Sequence, residues 1–83
     1  MYIHDVTVLL FASYADAFGS DRIEVDVPAG ATVRELLERV RAFPAASKLP
    51  PSPLVAVNER YARADQTLHP GDEVALIPPV AGG

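Results

Sequence analysis

The residues best suited to take part in a reaction are the last two, Gly82 and Gly83. A terminal Gly-Gly arises by chance in roughly one chain in 200, because glycine makes up about 7% of residues. Without Cβ atoms, two glycines let the chain extend, adopt unusual backbone angles and enter a narrow channel in another protein. They also leave the terminal carbonyl carbon open to a nucleophile. We therefore expect the α-carboxylate of Gly83 to be the reacting group.

The rest of the chain shows no pattern typical of an ordinary enzyme. There is no cysteine, which excludes disulfides, thiolate metal sites and a cysteine nucleophile. None of the serines lies in a Gly-x-Ser-x-Gly motif, and the glycines are too scattered for a phosphate-binding loop. His4 and His69 are too few for a histidine-based metal site and are interpreted as surface residues. We expect this chain to bind no cofactor and no metal.

Charge and hydropathy narrow the classes of partner. The formal net charge is −4, whereas nucleic acids and anionic membranes are bound by basic surfaces. No apolar run approaches the ~20 residues that span a bilayer, and residues 1–5 lack the basic segment of a signal peptide. The expected protein is therefore cytoplasmic, with neither nucleic acid nor membrane as partner.

The elements that must position the C-terminus fit into one domain of 83 residues. Two β-strands are predicted over 6–11 and 22–27, a short buried strand over 54–57, a weak strand over 61–64 and a last strand over 73–77. Residues 12–18 have helical leanings and are predicted to form a short turn, and the proline-rich residues 44–53 a connecting loop.

The first predicted strand is apolar on both of its faces. Because side chains alternate along a strand, Val6, Val8 and Leu10 share one face, and Leu9 and Phe11 share the other. A half-exposed strand normally has a polar outer face. Either something covers both faces, or the outer face is a docking surface.

The clearest predicted helix covers residues 32–43. Thr32 can cap its N-terminus, and Glu35 completes a capping box three residues later. Pro44 ends the helix because it disfavours helical geometry at the preceding residue. The apolar stripe consists of Val33, Leu36, Leu37, Val40 and Phe43. A hairpin, one helix and further strands predict an α+β fold with a mixed sheet packed on one face by this helix.

The C-terminal segment, residues 71–83 with its ending Pro-Pro-Val-Ala-Gly-Gly, resembles the molybdopterin synthase small subunit family. Segments 8–12, 28–33 and 57–58 resemble the same family of ubiquitin-like sulfur carriers. The resemblance implies a β-grasp domain over residues 1–78, with the first and last strands parallel at the centre of the sheet. It also implies a flexible C-terminal tail over residues 79–83.

The resemblance further implies a reaction cycle at Gly83. An E1-like adenylating enzyme would use ATP to adenylate its carboxylate, and a sulfur donor protein would convert it to a thiocarboxylate. The sulfur would then pass to a pterin precursor in the large subunit of molybdopterin synthase. The chain would be a non-catalytic subunit, active only with the large subunit, and Gly82 would help Gly83 to enter the partners' channels.

The outer face of the first and last strands is the predicted docking surface for both the E1-like enzyme and the large subunit, with Thr7 at its edge. The residues expected to contact partners are Leu9, Phe11, Ala75, Ile77, Pro78, Pro79, Val80 and Ala81. The alternative is that loop 44–53 folds over this face.

Two other functions remain open from the sequence. The same tail chemistry would serve a carrier for thiazole, cysteine or transfer-RNA thiolation, although residues 78–80 and the chain length favour molybdopterin. The chain could also be a non-covalent β-grasp adaptor whose glycine end is incidental.

Overall fold

Residues 3–50 and 53–78 are described by the structure, a computed structural model, and they form a five-stranded sheet with two α-helices. The elements are β1 (Ile3–Leu10), α1 (Ala12–Phe18), β2 (Arg22–Pro28), α2 (Val33–Val40), a 3₁₀ helix (Pro44–Lys48), β3 (Leu54–Val57), β4 (Arg60–Tyr61) and β5 (Glu73–Ile77). Neither α-helix in this part of the chain is long and apolar enough to cross a membrane.

The strand order in the sheet is β2-β1-β5-β3-β4. The central pair β1 and β5 is parallel, whereas β1 with β2, β5 with β3, and β3 with β4 are antiparallel. This mixed sheet confirms the predicted α+β class and the central position of the first and last strands. Because β1 and β5 are parallel, both end at the same edge of the sheet, where the chain continues towards Gly83.

The core lies between α2 and one face of the sheet. From the central strands come Val6, Val8, Leu10, Val74 and Leu76, each at most 2% exposed. These are the residues that strand alternation predicts beneath the helix. From α2 come Val33, Leu36 and Val40, whereas Leu37 is only partly buried. The predicted stripe is therefore split, with Leu37 at the border of the core.

Both partners of the predicted capping box are in place at the start of α2. The backbone N–H of Glu35 donates to Thr32 Oγ1 at 3.3 Å, and the backbone N–H of Thr32 donates to Glu35 Oε1 at 3.1 Å. The helix ends at Val40, three residues before the predicted end. The N–H of Phe43 bonds to the carbonyl of Val40, so the chain tightens into a turn before Pro44.

Replacing Thr32 with alanine is expected to lower the free energy of unfolding by about 1 kcal/mol, because the backbone N–H of Glu35 loses its side-chain acceptor. Thr32→Ser keeps the hydroxyl and should remain within about 0.5 kcal/mol of the original chain. Urea unfolding of both variants measures the difference. Equal losses in the alanine and serine variants would contradict a role for the hydroxyl.

Residues 12–18, whose helical leanings predicted only a short turn, form a seven-residue α-helix. The helix ends at Gly19, whose φ of +71° places it in the left-handed region and whose N–H bonds to the Ala15 carbonyl. Tyr14 is buried against the core, and the rings of Phe18 and Phe43 lie 6.0 Å apart between centroids. Burial of this face stabilises a helix that is too short to be stable by itself.

Two connecting segments differ from the predictions. Loop 44–53 contains the 3₁₀ helix, which packs on α1 and contributes Ala46 to the core. The strand predicted over 61–64 is shorter and begins one residue earlier, covering Arg60–Tyr61. The chain after it is held by Leu68, which is 1% exposed and donates its N–H to the Ala31 carbonyl.

Candidate partner-binding face

The predicted reactive end lies outside the described residues. This concerns Gly82 and Gly83, together with the tail residues Pro79, Val80 and Ala81. The last described residue is Pro78, directly after β5. Five further residues span at most about 17 Å when extended. The part of the site that the structure describes is therefore the surface around the end of β5, because the chain runs from there to Gly83.

The sheet face opposite α2 carries an apolar patch beside that point. Strand pairing places Leu9 opposite Ala75, Ala75 opposite Ala56, and Ala56 opposite Tyr61. These four residues form a row across four strands. Phe11 and Ile77 lie beyond the row at the edge where β5 ends. We call these six residues the apolar patch: Leu9, Phe11, Ala56, Tyr61, Ala75 and Ile77.

Exposure of large apolar side chains is concentrated on this face. Phe11 is 47% exposed, Leu54 is 52% exposed and Tyr61 is 75% exposed, and no other large apolar residue in the described ranges is classed as exposed. Leu54 lies opposite Ile77 and therefore extends the patch towards the edge. A shallow groove of about 490 Å³ runs over the patch. Such a concentration is typical of a protein-binding surface.

Four of the predicted contact residues thus lie together, namely Leu9, Phe11, Ala75 and Ile77. Thr7 lies at the edge of this group of residues, as predicted from the sequence. Ala56 and Tyr61 were not predicted. The strand signal of residues 54–57 was present, but no local pattern indicates that β3 lies beside β5.

Phe11 is held in place by the start of α1. Its carbonyl accepts the backbone N–H groups of Tyr14 at 2.9 Å and Ala15 at 3.3 Å. Ala12 has a φ of +48°, a left-handed conformation that costs a residue with a side chain about 1 kcal/mol. This sharp change of direction ends β1 and lets the helix begin directly after Phe11.

The start of β5 is tied to the β3–β4 hairpin. Asn58 and Glu59 both have positive φ, as a two-residue hairpin turn requires. The side-chain amide of Asn58 donates to Asp72 Oδ1 at 2.9 Å and accepts the N–H of Glu73 at 3.0 Å. The other Asp72 oxygen accepts the His69 N–H at 2.8 Å. Asp72 and His69 thus shape the turn before β5, and the bonds of Asn58 hold β5 against its neighbour.

The loop predicted as an alternative cover does not lie over the patch where it is described. None of residues 44–50 lines the groove. Ala46 and Leu49 point instead into the core on the α2 side of the sheet. The described part of this loop therefore leaves the apolar patch open to solvent.

Two features outside the groove concern metal ligands and a buried tyrosine in the described residues. These residues contain no group of three or more His, Asp or Glu residues that could hold a metal ion. Burial raises the pKa of Tyr14, whose hydroxyl has no hydrogen-bond partner. Tyr14 belongs to the core cluster and does not line the groove.

Known proteins of similar sequence support the family resemblance that the tail sequence indicated. At 36% identity, the molybdopterin synthase sulfur carrier subunit of Dictyostelium discoideum matches over 92% of this chain and 93% of its own length. The Arabidopsis thaliana protein of the same name is 32% identical over 95% of this chain and 83% of its own length.

Solved structures share the whole fold. SAMP1 of Haloferax volcanii superposes with a TM-score of 0.83 at 34% identity, covering 95% of this chain and 99% of that one. A Pyrococcus furiosus protein described as putative molybdopterin converting factor, subunit 1, gives 0.82 at 31% identity, over 93% and 99%. A complex of subunits 1 and 2 of this factor from Helicobacter pylori gives 0.69 at 21% identity, over 95% and 99%, which shows the fold alone.

The family comparison covers nearly the whole chain, including its last two residues. The model of the ThiS family matches residues 8–83. Together with the relatives and the shared β-grasp fold, this match confirms the recognition made from the tail sequence. The chain belongs to the ThiS family.

Proposed function

We propose that this chain is the sulfur carrier subunit of a molybdopterin synthase and that Gly83 carries the sulfur as a terminal thiocarboxylate. The observation that carries the proposal is the likeness to molybdopterin synthase sulfur carrier subunits over more than nine-tenths of the chain. The terminal Gly-Gly and the exposed apolar patch beside the end of β5 support it.

The chemistry of the tail requires partners. A carboxylate at neutral pH is a poor electrophile, so an E1-like enzyme must first join Gly83 to AMP from ATP, which releases pyrophosphate. Sulfide supplied by the sulfur donor then attacks the acyl carbon and displaces AMP, which leaves a thiocarboxylate. The thiocarboxylate sulfur bonds to the pterin precursor in the large subunit, and water cleaves the bond between acyl carbon and sulfur, which regenerates the Gly83 carboxylate. The carrier supplies the reacting group, and its partners supply the catalysis.

The body and the tail have separate tasks in this proposal. Residues 1–78 form the rigid β-grasp domain, and residues 79–83 form the flexible tail that enters each partner. Pro78 follows the end of β5 and cannot extend its pairing, because proline cannot donate to a strand ladder. The contacts of Pro78, Pro79, Val80 and Ala81 with the partner would guide the two glycines into its channel.

The apolar patch is the proposed docking surface for both the E1-like enzyme and the large subunit. Both partners must receive the same tail, which leaves the sheet beside Ile77. A shared surface makes the two complexes mutually exclusive, so the carrier alternates between loading and delivery.

Phe11→Asp and Ile77→Asp are expected to raise the Kd for both partners by about 10-fold or more, because each places a carboxylate in an apolar interface. Isothermal titration calorimetry against the purified large subunit measures the effect. The matched control is Ala42→Asp, which adds the same charge at an exposed position beyond α2. Unchanged affinity in both patch variants would place the interface elsewhere.

Mass spectrometry tests the function itself. Incubation with ATP, an E1-like enzyme and a sulfur donor should exchange one oxygen of the carrier for sulfur. Addition of the large subunit and the pterin precursor should then reverse the exchange. A carrier that never gains sulfur would be an adaptor. One that gains sulfur but does not deliver it to the pterin precursor would serve thiazole, cysteine or transfer-RNA thiolation.

A further inference from the structure

The net charge of the chain is concentrated on the face that carries the apolar patch. Strand alternation and the lining of the groove place five carboxylates and one guanidinium there. These residues are Asp5, Glu24, Asp26, Glu59, Glu73 and Arg22. They account for the whole formal charge of −4, because the other six acidic and six basic residues cancel. We call the five carboxylates the acidic half of the face.

Cross-strand pairing holds these carboxylates close together. Asp5 lies opposite Asp26, and Thr7 lies between Glu24 on β2 and Glu73 on β5. The Thr7 hydroxyl donates to Glu24 at 3.0 Å, which draws that carboxylate over β1. Glu24 and Glu73 therefore flank Thr7 on the outer face of the sheet.

The acidic half and the end of β5 lie at opposite ends of the face. Glu73 begins β5 and Ile77 ends it, so the two are separated by about 13 Å at ~3.3 Å per residue. That distance exceeds the Debye length of about 8 Å at physiological ionic strength. The apolar patch is continuous with the end of β5, whereas Glu73 lies more than a Debye length from that end.

We propose that the acidic half orients the docked carrier by recognising a row of lysine or arginine side chains on the large subunit. This inference rests on the proposed function and names the partner chemistry that the function needs. Apolar contact is non-directional, so the apolar patch alone would tolerate rotated complexes that send the tail away from the active site. Charge on one side of the patch selects a single orientation and accelerates encounter.

The complementary surface follows from this geometry. It has an apolar centre, a channel entrance beside the position of Ile77, and basic side chains about 13 Å from that entrance, opposite Glu73. A partner with acidic side chains there would be rejected by like-charge repulsion.

Two triple variants with identical net charge test the inference. Glu24→Gln/Glu59→Gln/Glu73→Gln neutralises three carboxylates of the acidic half. Its control, Asp16→Asn/Glu38→Gln/Asp65→Asn, neutralises three exposed carboxylates that do not line the groove. Both changes raise the formal net charge by three. Thermal melting confirms that each variant folds, and stopped-flow mixing with the large subunit gives the association rate over a range of NaCl concentrations.

The acidic-half variant is expected to associate about 10-fold more slowly at low salt, with a flatter salt dependence. The control should stay within about twofold of the original chain. Equal rates in the two triple variants would overturn the inference and leave the proposed function intact. Failure of the unmodified carrier to bind the large subunit would overturn both.

Discussion

Deletion of Gly83 is expected to abolish thiocarboxylate formation while leaving the fold intact. One residue spans about 3.5 Å, and reacting atoms must approach within about 3–3.5 Å. The shortened chain therefore holds its carboxylate out of reach of the activating groups. The core residues in the described part of the chain all lie before Pro78, so stability should not change. Mass spectrometry after incubation with ATP, an E1-like enzyme and sulfur donor measures sulfur uptake.

Gly82→Val should have the same effect for a different reason, because a β-branched side chain cannot enter a channel shaped for glycine. Ala81→Gly is the matched control, since it changes the neighbouring tail residue without adding bulk, and it should keep sulfur uptake. A deletion variant that still acquires sulfur would refute the role of Gly83. A deletion variant that unfolds would refute the division into body and tail.

Leu36→Ala is expected to lower the free energy of unfolding by about 2–5 kcal/mol. Leu36 is fully buried between α2 and the sheet, and its truncation leaves a cavity among the valines and leucines of the central strands. A domain of this size has a total stability of about 4–12 kcal/mol. The variant should therefore melt at a markedly lower temperature and could unfold at 37 °C.

Leu37→Ala is the matched control for Leu36. The sequence pattern assigns both leucines to one stripe and predicts equal losses. In the structure Leu37 is partly buried and lines a surface groove with Val55 and Ala62. Its loss should cost under about 2 kcal/mol, because less apolar area is removed from water. Urea unfolding of the two variants measures both losses in the free energy of unfolding. Equal losses would mean that both side chains belong to the core.

Local sequence patterns predicted the elements whose signals are complete within a few residues. For α2, the capping box of Thr32 and Glu35 and the apolar spacing lie in one segment, so both its start and its buried face could be inferred. The local signal for α1 is weaker, because residues 12–18 have helical leanings but no capping box. Its N-cap, Phe11, makes no side-chain capping bond, and the seven-residue helix forms because Tyr14 is buried by distant parts of the chain.

The residues of the binding face likewise divide into those that the sequence predicts and those that only the tertiary structure places there. Alternation along β1 and β5 showed from the sequence that Leu9 shares a face with Phe11 and Ala75 with Ile77, because side-chain direction repeats every two residues. That the two pairs share one face followed from the family resemblance, which implies that the first and last strands are neighbours. The sequence alone also indicated the reactive Gly-Gly end. Whether the outer face stayed open depended on the path of loop 44–53, which the core contacts of Ala46 and Leu49 decide.

Only the tertiary structure added the neighbouring strands to this face. Tyr61 joins the apolar patch because β3 pairs with β5 and β4 pairs with β3. The acidic half forms because β2 and β5 bring Glu24 and Glu73 to either side of Thr7. These residues lie up to about fifty positions apart, and their contact depends on strand order. Strand order follows from which pairings bury the most apolar surface together, and that is a property of the whole core rather than of any local segment.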